Sequence, residues 1–119
     1  MSILFENDLG TVEISEEVIQ SLAGAAATEC YGVVGMASKQ FFRDGIAELL
    51  KQENYQRGII VREEDKVIHI DMYVIVSFGV RISEVVHEIQ KKVKYDIEAA
   101  LNIQLGSVNV FVQDVQRKD

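Results

Sequence analysis

Proline and tryptophan are absent from these 119 residues, and cysteine occurs once, as Cys30. A lone thiol makes no intrachain bridge, and a folded domain without a staple fits a reducing compartment, so the cytoplasm is the expected location. No apolar run approaches the roughly 20 residues of a membrane-spanning helix. The opening Met1-Ser2-Ile3-Leu4-Phe5-Glu6-Asn7-Asp8 has no basic flank and meets acidic residues too early for a signal peptide. Secretion and direct membrane insertion are therefore not expected. With no proline, Ser/Gly linker, repeat or low-complexity tract, nothing divides the chain. The expected organisation is an N-terminal extension over residues 1–9, one domain over 10–115 and a tail over 116–119.

Positive charge is also scarce. The formal net charge of −7 repels polyphosphate, whereas nucleic-acid binding draws its nonspecific affinity from clustered Lys and Arg. Nucleic acid is not an expected partner. The one basic cluster, Lys91-Lys92-Lys94, falls in a predicted helix and reads as a solvated face.

Groups that make or break bonds are few and scattered. A catalytic zinc takes three protein ligands, but the only histidines are His69 and His87, and Cys30 is far from both in sequence. The thiol of Cys30 follows Glu29 at a predicted helix C-terminus, where the dipole and the carboxylate raise its pKa, the reverse of what a nucleophile needs. Val76-Ser77-Phe78-Gly79 lacks the Gly-x-Ser-x-Gly elbow, and no Gly-Lys-Ser/Thr follows Gly32-Val33-Val34-Gly35 or Gly45. Glu63-Glu64-Asp65 lies in a predicted turn, where all three carboxylates stay solvated. No enzyme, metal or cofactor is expected.

What is present is structural pattern, in an ordinary globular composition of 48% hydrophobic and 26% charged residues. Gly10-Thr11-Val12-Glu13-Ile14 alternates as a short strand. Ser15 then caps a helix from Glu16, with Ile14 and Ile19 at the spacing of a hydrophobic staple. The run Ala23-Gly24-Ala25-Ala26-Ala27 lets that helix approach a neighbour closely, and Gly32 stands where a left-handed residue ends it. Val33-Val34-Gly35-Met36 offers a short strand or bend. Phe41, Phe42, Ile46, Leu49 and Leu50 recur near helical spacing, which predicts a short helix from Asp44 to Gln52. Residues 56–62 read as a strand, and Glu63-Glu64-Asp65-Lys66 folds it back on the next.

In that next strand Ile68, Ile70, Met72, Val74, Val76 and Phe78 are expected inward, and Val67, His69, Asp71, Tyr73, Ile75 and Ser77 outward. Gly79 allows a turn into a helix striped by Ile82, Val86, Ile89, Val93, Ile97 and Leu101. Leu105-Gly106-Ser107 closes it. Val108, Val110 and Val112 of the last strand point inward, and Asn109, Phe111 and Gln113 outward.

The glycine turns and apolar runs come in a definite order: Gly10 to Ser15 leading to Glu29-Cys30-Tyr31-Gly32-Val33-Val34-Gly35-Met36, then Val74-Ile75-Val76-Ser77-Phe78-Gly79 with its helix, then Ser107-Val108-Asn109-Val110-Phe111-Val112. This arrangement resembles the alkaline shock protein family, also called the cell-envelope stress response family, of Gram-positive bacteria. Asp44-Gly45-Ile46-Ala47-Glu48-Leu49-Leu50 before Asn54-Tyr55 is similar to its YloU-like branch. The resemblance implies a cytoplasmic, non-enzymatic protein linked to envelope stress, with a protein partner that is membrane-anchored or belongs to fatty-acid metabolism. It carries over no catalytic residue.

Together these readings predict an α+β, two-layer sandwich. A β-hairpin and the N- and C-terminal strands form a mostly antiparallel sheet, two main helices cover one face, and a short inserted helix is added; ferredoxin-like and KH-like topologies both fit. The open face places Val67, Tyr73, Ile75 and Phe111 as a candidate interaction surface for a protein partner or a homo-oligomer, against the plainer reading of scattered exposed residues. The alternative is a regulator that holds a small apolar ligand, such as an acyl chain, where the alanine run leaves room.

Overall fold

The computed structural model describes residues 2–38 and 49–117. In chain order these are β1 (Ser2–Asn7), β2 (Gly10–Ser15), α1 (Glu16–Thr28), β3 (Val33–Met36), a 3-10 helix (Gln52–Gly58), β4 (Ile59–Glu64), β5 (Val67–Ser77), α2 (Ile82–Leu101) and β6 (Leu105–Gln116). The fold is α+β, with two helices layered on a sheet. Most of the helix expected over Asp44 to Gln52 lies outside the described residues. Leu49 is described, and it forms a bridge to Ala37 instead of a helical turn.

β5 is the strand that the others share. β6 runs parallel to it from Ile68 opposite Leu105 to Ser77 opposite Gln116. Its other edge is taken end to end: β4 is antiparallel to the first half, with Ile59 opposite Met72, and β3 is antiparallel to the second, with Met36 opposite Val74. The β4–β5 turn is the expected hairpin. Asp65 and Lys66 have φ of 53° and 68°, the paired left-handed residues of a type I′ turn, whose twist matches that of the flanking strands.

One expectation about the sheet fails. The strand at Gly10–Ser15 does not join it but pairs antiparallel with β1, Ile3 opposite Ile14, in a separate two-stranded sheet. The residues expected as an extension thus hold a strand of their own, and Ile3 is buried. Apolar groups at Ile3, Phe5 and Ile14 reach the core, and that burial holds a hairpin that would be marginal alone.

The core lies between the helices and one sheet face. Ile68, Ile70, Met72, Val74 and Val76 of β5 enter it, as alternation predicts. Phe78 does not: it lies past the strand end, 62% exposed, with the Arg117 guanidinium 4.6 Å above its ring. Helix α1 starts at Glu16 as expected, but Ser15 makes no capping hydrogen bond through its side chain. On α2 the buried line is Val85, Ile89, Val93 and Ile97; the last three belong to the expected stripe, but at its start Val85 takes the buried place and Ile82 is left exposed. That helix ends at Asn102, left-handed at φ 55°, and Leu105 already belongs to β6. Asparagine tolerates that conformation better than most residues.

Candidate functional site

The sheet face away from the helices carries two adjoining groups of side chains. The first is a polar ladder across β4, β5 and β6. Arg62 clamps Asp71 through Nε to Oδ2 at 3.0 Å and Nη2 to Oδ1 at 3.1 Å, the planar match of guanidinium to carboxylate, and also pairs with Glu64. From the other side Asn109 Nδ2 donates to Asp71 Oδ1 at 2.8 Å and to Ser107 Oγ at 3.2 Å. Ser107 Oγ in turn lies 2.7 Å from His69 Nδ1. Burial by itself would raise the Asp71 carboxyl, but the hydrogen bonds from Arg62 and Asn109 and the charge of Arg62 together hold it below the ordinary carboxylate value.

The second group is aromatic. Tyr73 and Phe111, opposite each other on β5 and β6, stack at 4.9 Å with their planes 18° apart. Phe111 is 44% exposed and Val67 37%, so both present apolar surface here. Ile75 does not, which corrects its place in the expected patch: it is fully buried and packs with Ala37, Val34 and Tyr73. The cause is the chain leaving β3. Ala37 N donates to Tyr73 O at 2.9 Å, and Ser38 O accepts from Gln113 Nε2 at 3.3 Å, so this stretch turns in over Ile75.

The family model for cell envelope-related function of the alkaline shock protein 23 type matches residues 5–117. The chain belongs to that alkaline shock protein family. It is 51% identical to the uncharacterized protein YloU of Bacillus subtilis (strain 168) over 98% of this chain and 97% of that protein. It is 41% identical to the uncharacterized protein Spy1614 of Streptococcus pyogenes serotype M6 over 98% and 96%. These likenesses place it in the YloU-like branch. One solved MamM-CTD structure superposes with a TM-score of 0.50 at 18% identity, over 84% of this chain and 98% of that one, a likeness of fold alone. Neither the family description nor the two relatives' names carries a reaction.

In this family member the other sequence candidates do not converge. Among the described residues no cluster of three His, Cys, Asp or Glu could hold a metal ion, and no helix is long and apolar enough to cross a membrane. His87 is exposed on α2. Cys30 lines a groove of about 490 Å³ with Tyr31, Val80, Arg81, Val85 and Lys92. Burial pushes its thiol up; Lys92 opposes this, and Glu88, Glu29 and Asp96 add to it. The expected direction holds, with burial as the first cause. At the alanine run α1 packs closely: Ala23, Ala26 and Ala27 are buried, and a Cβ on Gly24 would come within 2.6 Å of the Tyr55 ring.

Reading the sequence missed the ladder of Arg62, Asp71, Asn109 and Ser107. Alternation put Asp71 and Asn109 on the open face, but their opposition depends on the parallel β5–β6 register, which period-two patterning does not encode. It also missed how β6 is held at its outer edge. Lys94 Nζ donates to Leu105 O at 3.1 Å, Leu105 N donates to Glu98 Oε2 at 2.8 Å, and Gln90 Nε2 donates to Val108 O at 3.0 Å. Gln90, Lys94 and Glu98 are spaced at four-residue steps, the spacing that aligns side chains on one helix face.

Proposed function

We propose that this chain is a non-catalytic interaction protein of the cytoplasm. In this reading it serves cell-envelope function by docking a protein partner, membrane-anchored or from fatty-acid metabolism, on the helix-free face of its sheet. The observation that carries the reading is the Tyr73–Phe111 stack beside the Arg62–Asp71–Asn109 ladder. A partly exposed aromatic pair next to oriented polar groups is the composition of an interaction hot spot, where aromatic and Arg side chains dominate the energy. Within the ladder the Asp71 carboxylate is tied up by Arg62 and Asn109. The family description supplies the envelope context.

The test is affinity purification under mild crosslinking from the native host, with the wild-type chain and a Tyr73→Asp/Phe111→Asp variant as baits. Loss of the wild-type partner, with helical content unchanged by circular dichroism, supports the face. Equal recovery by both baits rejects it.

A further inference from the structure

Among the described residues, the outer edge of β6 is guarded over only half of its length. In β5, Tyr73 O accepts from Ala37 N and Ser77 N donates to Gly32 O, so Tyr73 and its alternate neighbours turn their peptide groups toward β3 and β4. Ile70, Met72 and Val74 therefore turn theirs toward β6. Their partners are Val108, Val110 and Val112. In a parallel ladder the residue opposite such a partner directs its own groups away, so these three valines present N–H and C=O to the outside. The bond from Gln90 to Val108 O independently marks that side as outward.

Helix α2 covers Leu105 and Val108 through Glu98, Lys94 and Gln90. The next position on that stripe is Val86, which has no hydrogen-bonding side chain, so Val110 and Val112 are left without an edge partner among the described residues. The usual defences of a strand edge, charge and proline, are missing too. From Leu105 to Gln113 the strand carries no charged side chain, and register shifts fall only before Ser107 and after Val112.

We propose that this edge is a homodimer interface, in which Val110 of one copy pairs antiparallel with Val112 of a second copy, and the reverse, about a twofold axis beside Phe111. Three features select this occupant and register. Opposed Val110 and Val112 exchange both of their N–H···O=C bonds and call on no group of Val108, whose carbonyl Gln90 already holds. Phe111 then faces Phe111 of the second copy in the closer, non-hydrogen-bonded pair, and the Tyr73–Phe111 stack extends into a row across the axis. Finally, two chains of net charge −7 repel, and this uncharged run lets them meet without opposing carboxylates, whereas a basic peptide would find none to bind. The result is one continuous sheet with the helices of both copies on the same face.

This inference concerns the edge and stands apart from partner docking on the face, although Phe111 borders both. The experiment is sedimentation velocity of the full chain over a concentration series, with wild type, Phe111→Lys, Phe111→Glu and an equal mixture of the two variants. Wild type is expected to dimerise. Each variant sets like charges against each other at the axis and weakens self-association by at least about tenfold, and the mixture restores the dimer. A monomeric wild type, a variant that dimerises as wild type does, or a mixture that stays monomeric would each overturn the proposal.

If a charged variant loses its fold by circular dichroism, Phe111→Cys with Cys30→Ser takes its place. Cα atoms about 4.5 Å apart across the axis suit a disulfide, so mild oxidation should cross-link it to itself, and no cross-link counts against the interface. The mixture also separates the two readings. It regains the dimer without regaining the aromatic face, so a partner bound by that face stays lost.

Discussion

Asp71 and Asn109 meet across the parallel β5–β6 pair at 2.8 Å, while Arg62 grips the same carboxylate from β4 at 3.0 Å. Three strands are thus joined on the open face by side chains as well as by backbone, and the joint depends on one ionised group.

The ladder makes stability depend on acid. Against the effect of burial, the hydrogen bonds from Arg62 and Asn109 hold the pKa of Asp71 in the folded chain below the ordinary carboxylate value. A depressed carboxylate contributes stability that is complete above its unfolded pKa and is lost as pH falls through the folded value. Asp71→Asn should therefore be less stable than wild type in urea at about pH 7, and the gap should narrow toward about pH 3, below the ordinary carboxylate value. A gap that is constant across that range would show that the charge of Asp71 is not what the ladder uses.

The aromatic pair should be energetically coupled. A double-mutant cycle over Tyr73→Ala and Phe111→Ala, read by urea unfolding, is expected to give a coupling of about 0.5–1.5 kcal/mol, the usual worth of a stacked pair beyond its buried area. Additive losses would mean that the rings are neighbours without mutual stabilisation.

Gly24 tests the close approach of α1 to the 3-10 helix. Alanine would ordinarily gain roughly 0.8–1.0 kcal/mol in a helix interior, but its Cβ would fall 2.6 Å from Tyr55 Cδ2 and 3.3 Å from Ile59 Cδ1. Overpacking of this kind costs about 1–3 kcal/mol, so Gly24→Ala should lower stability. Combining it with Tyr55→Ala should remove the Gly24→Ala penalty. A more stable Gly24→Ala single variant would contradict the packing described.

The turn of α2 about its axis can be read from two isoleucines. Ile89 is completely buried and Ile82 is 41% exposed. Ile89→Ala should cost about 2–5 kcal/mol, and Ile82→Ala roughly 1 kcal/mol or less. Comparable losses in thermal or chemical unfolding would mean that the helix packs on the stripe that periodicity suggested.

Local chemistry made much of this fold legible. Alternation along β5, the Glu16 start of α1 and the hairpin turn at Asp65 and Lys66 all follow from interactions within a few residues, and the structure bears them out. The order of the glycine turns was enough for the family. Ile75, Phe78 and Ile82 were misjudged because burial is set by what arrives from elsewhere: Ala37 over Ile75, the end of the strand before Phe78, and the angle at which α2 meets the sheet.

The site divides in the same way. Alternation placed Tyr73 and Phe111 on one face, and their stacking needed only that the two strands be neighbours. The grip of Arg62 and Asn109 on Asp71 required a specific register, and the capping of Leu105 and Val108 by Glu98, Lys94 and Gln90 required α2 to lie along β6.

By itself the order of residues determined most of the element types and the family, because propensity, turn geometry and hydrophobic period act over short stretches of chain. Tertiary structure alone decided that β6 runs parallel to β5, that β1 and β2 pair apart from the main sheet, and that Val110 and Val112 have no edge partner among the described residues. Those outcomes depend on contacts between residues far apart in the chain, where loop closure and the competition of surfaces for burial choose among patterns that are locally equivalent.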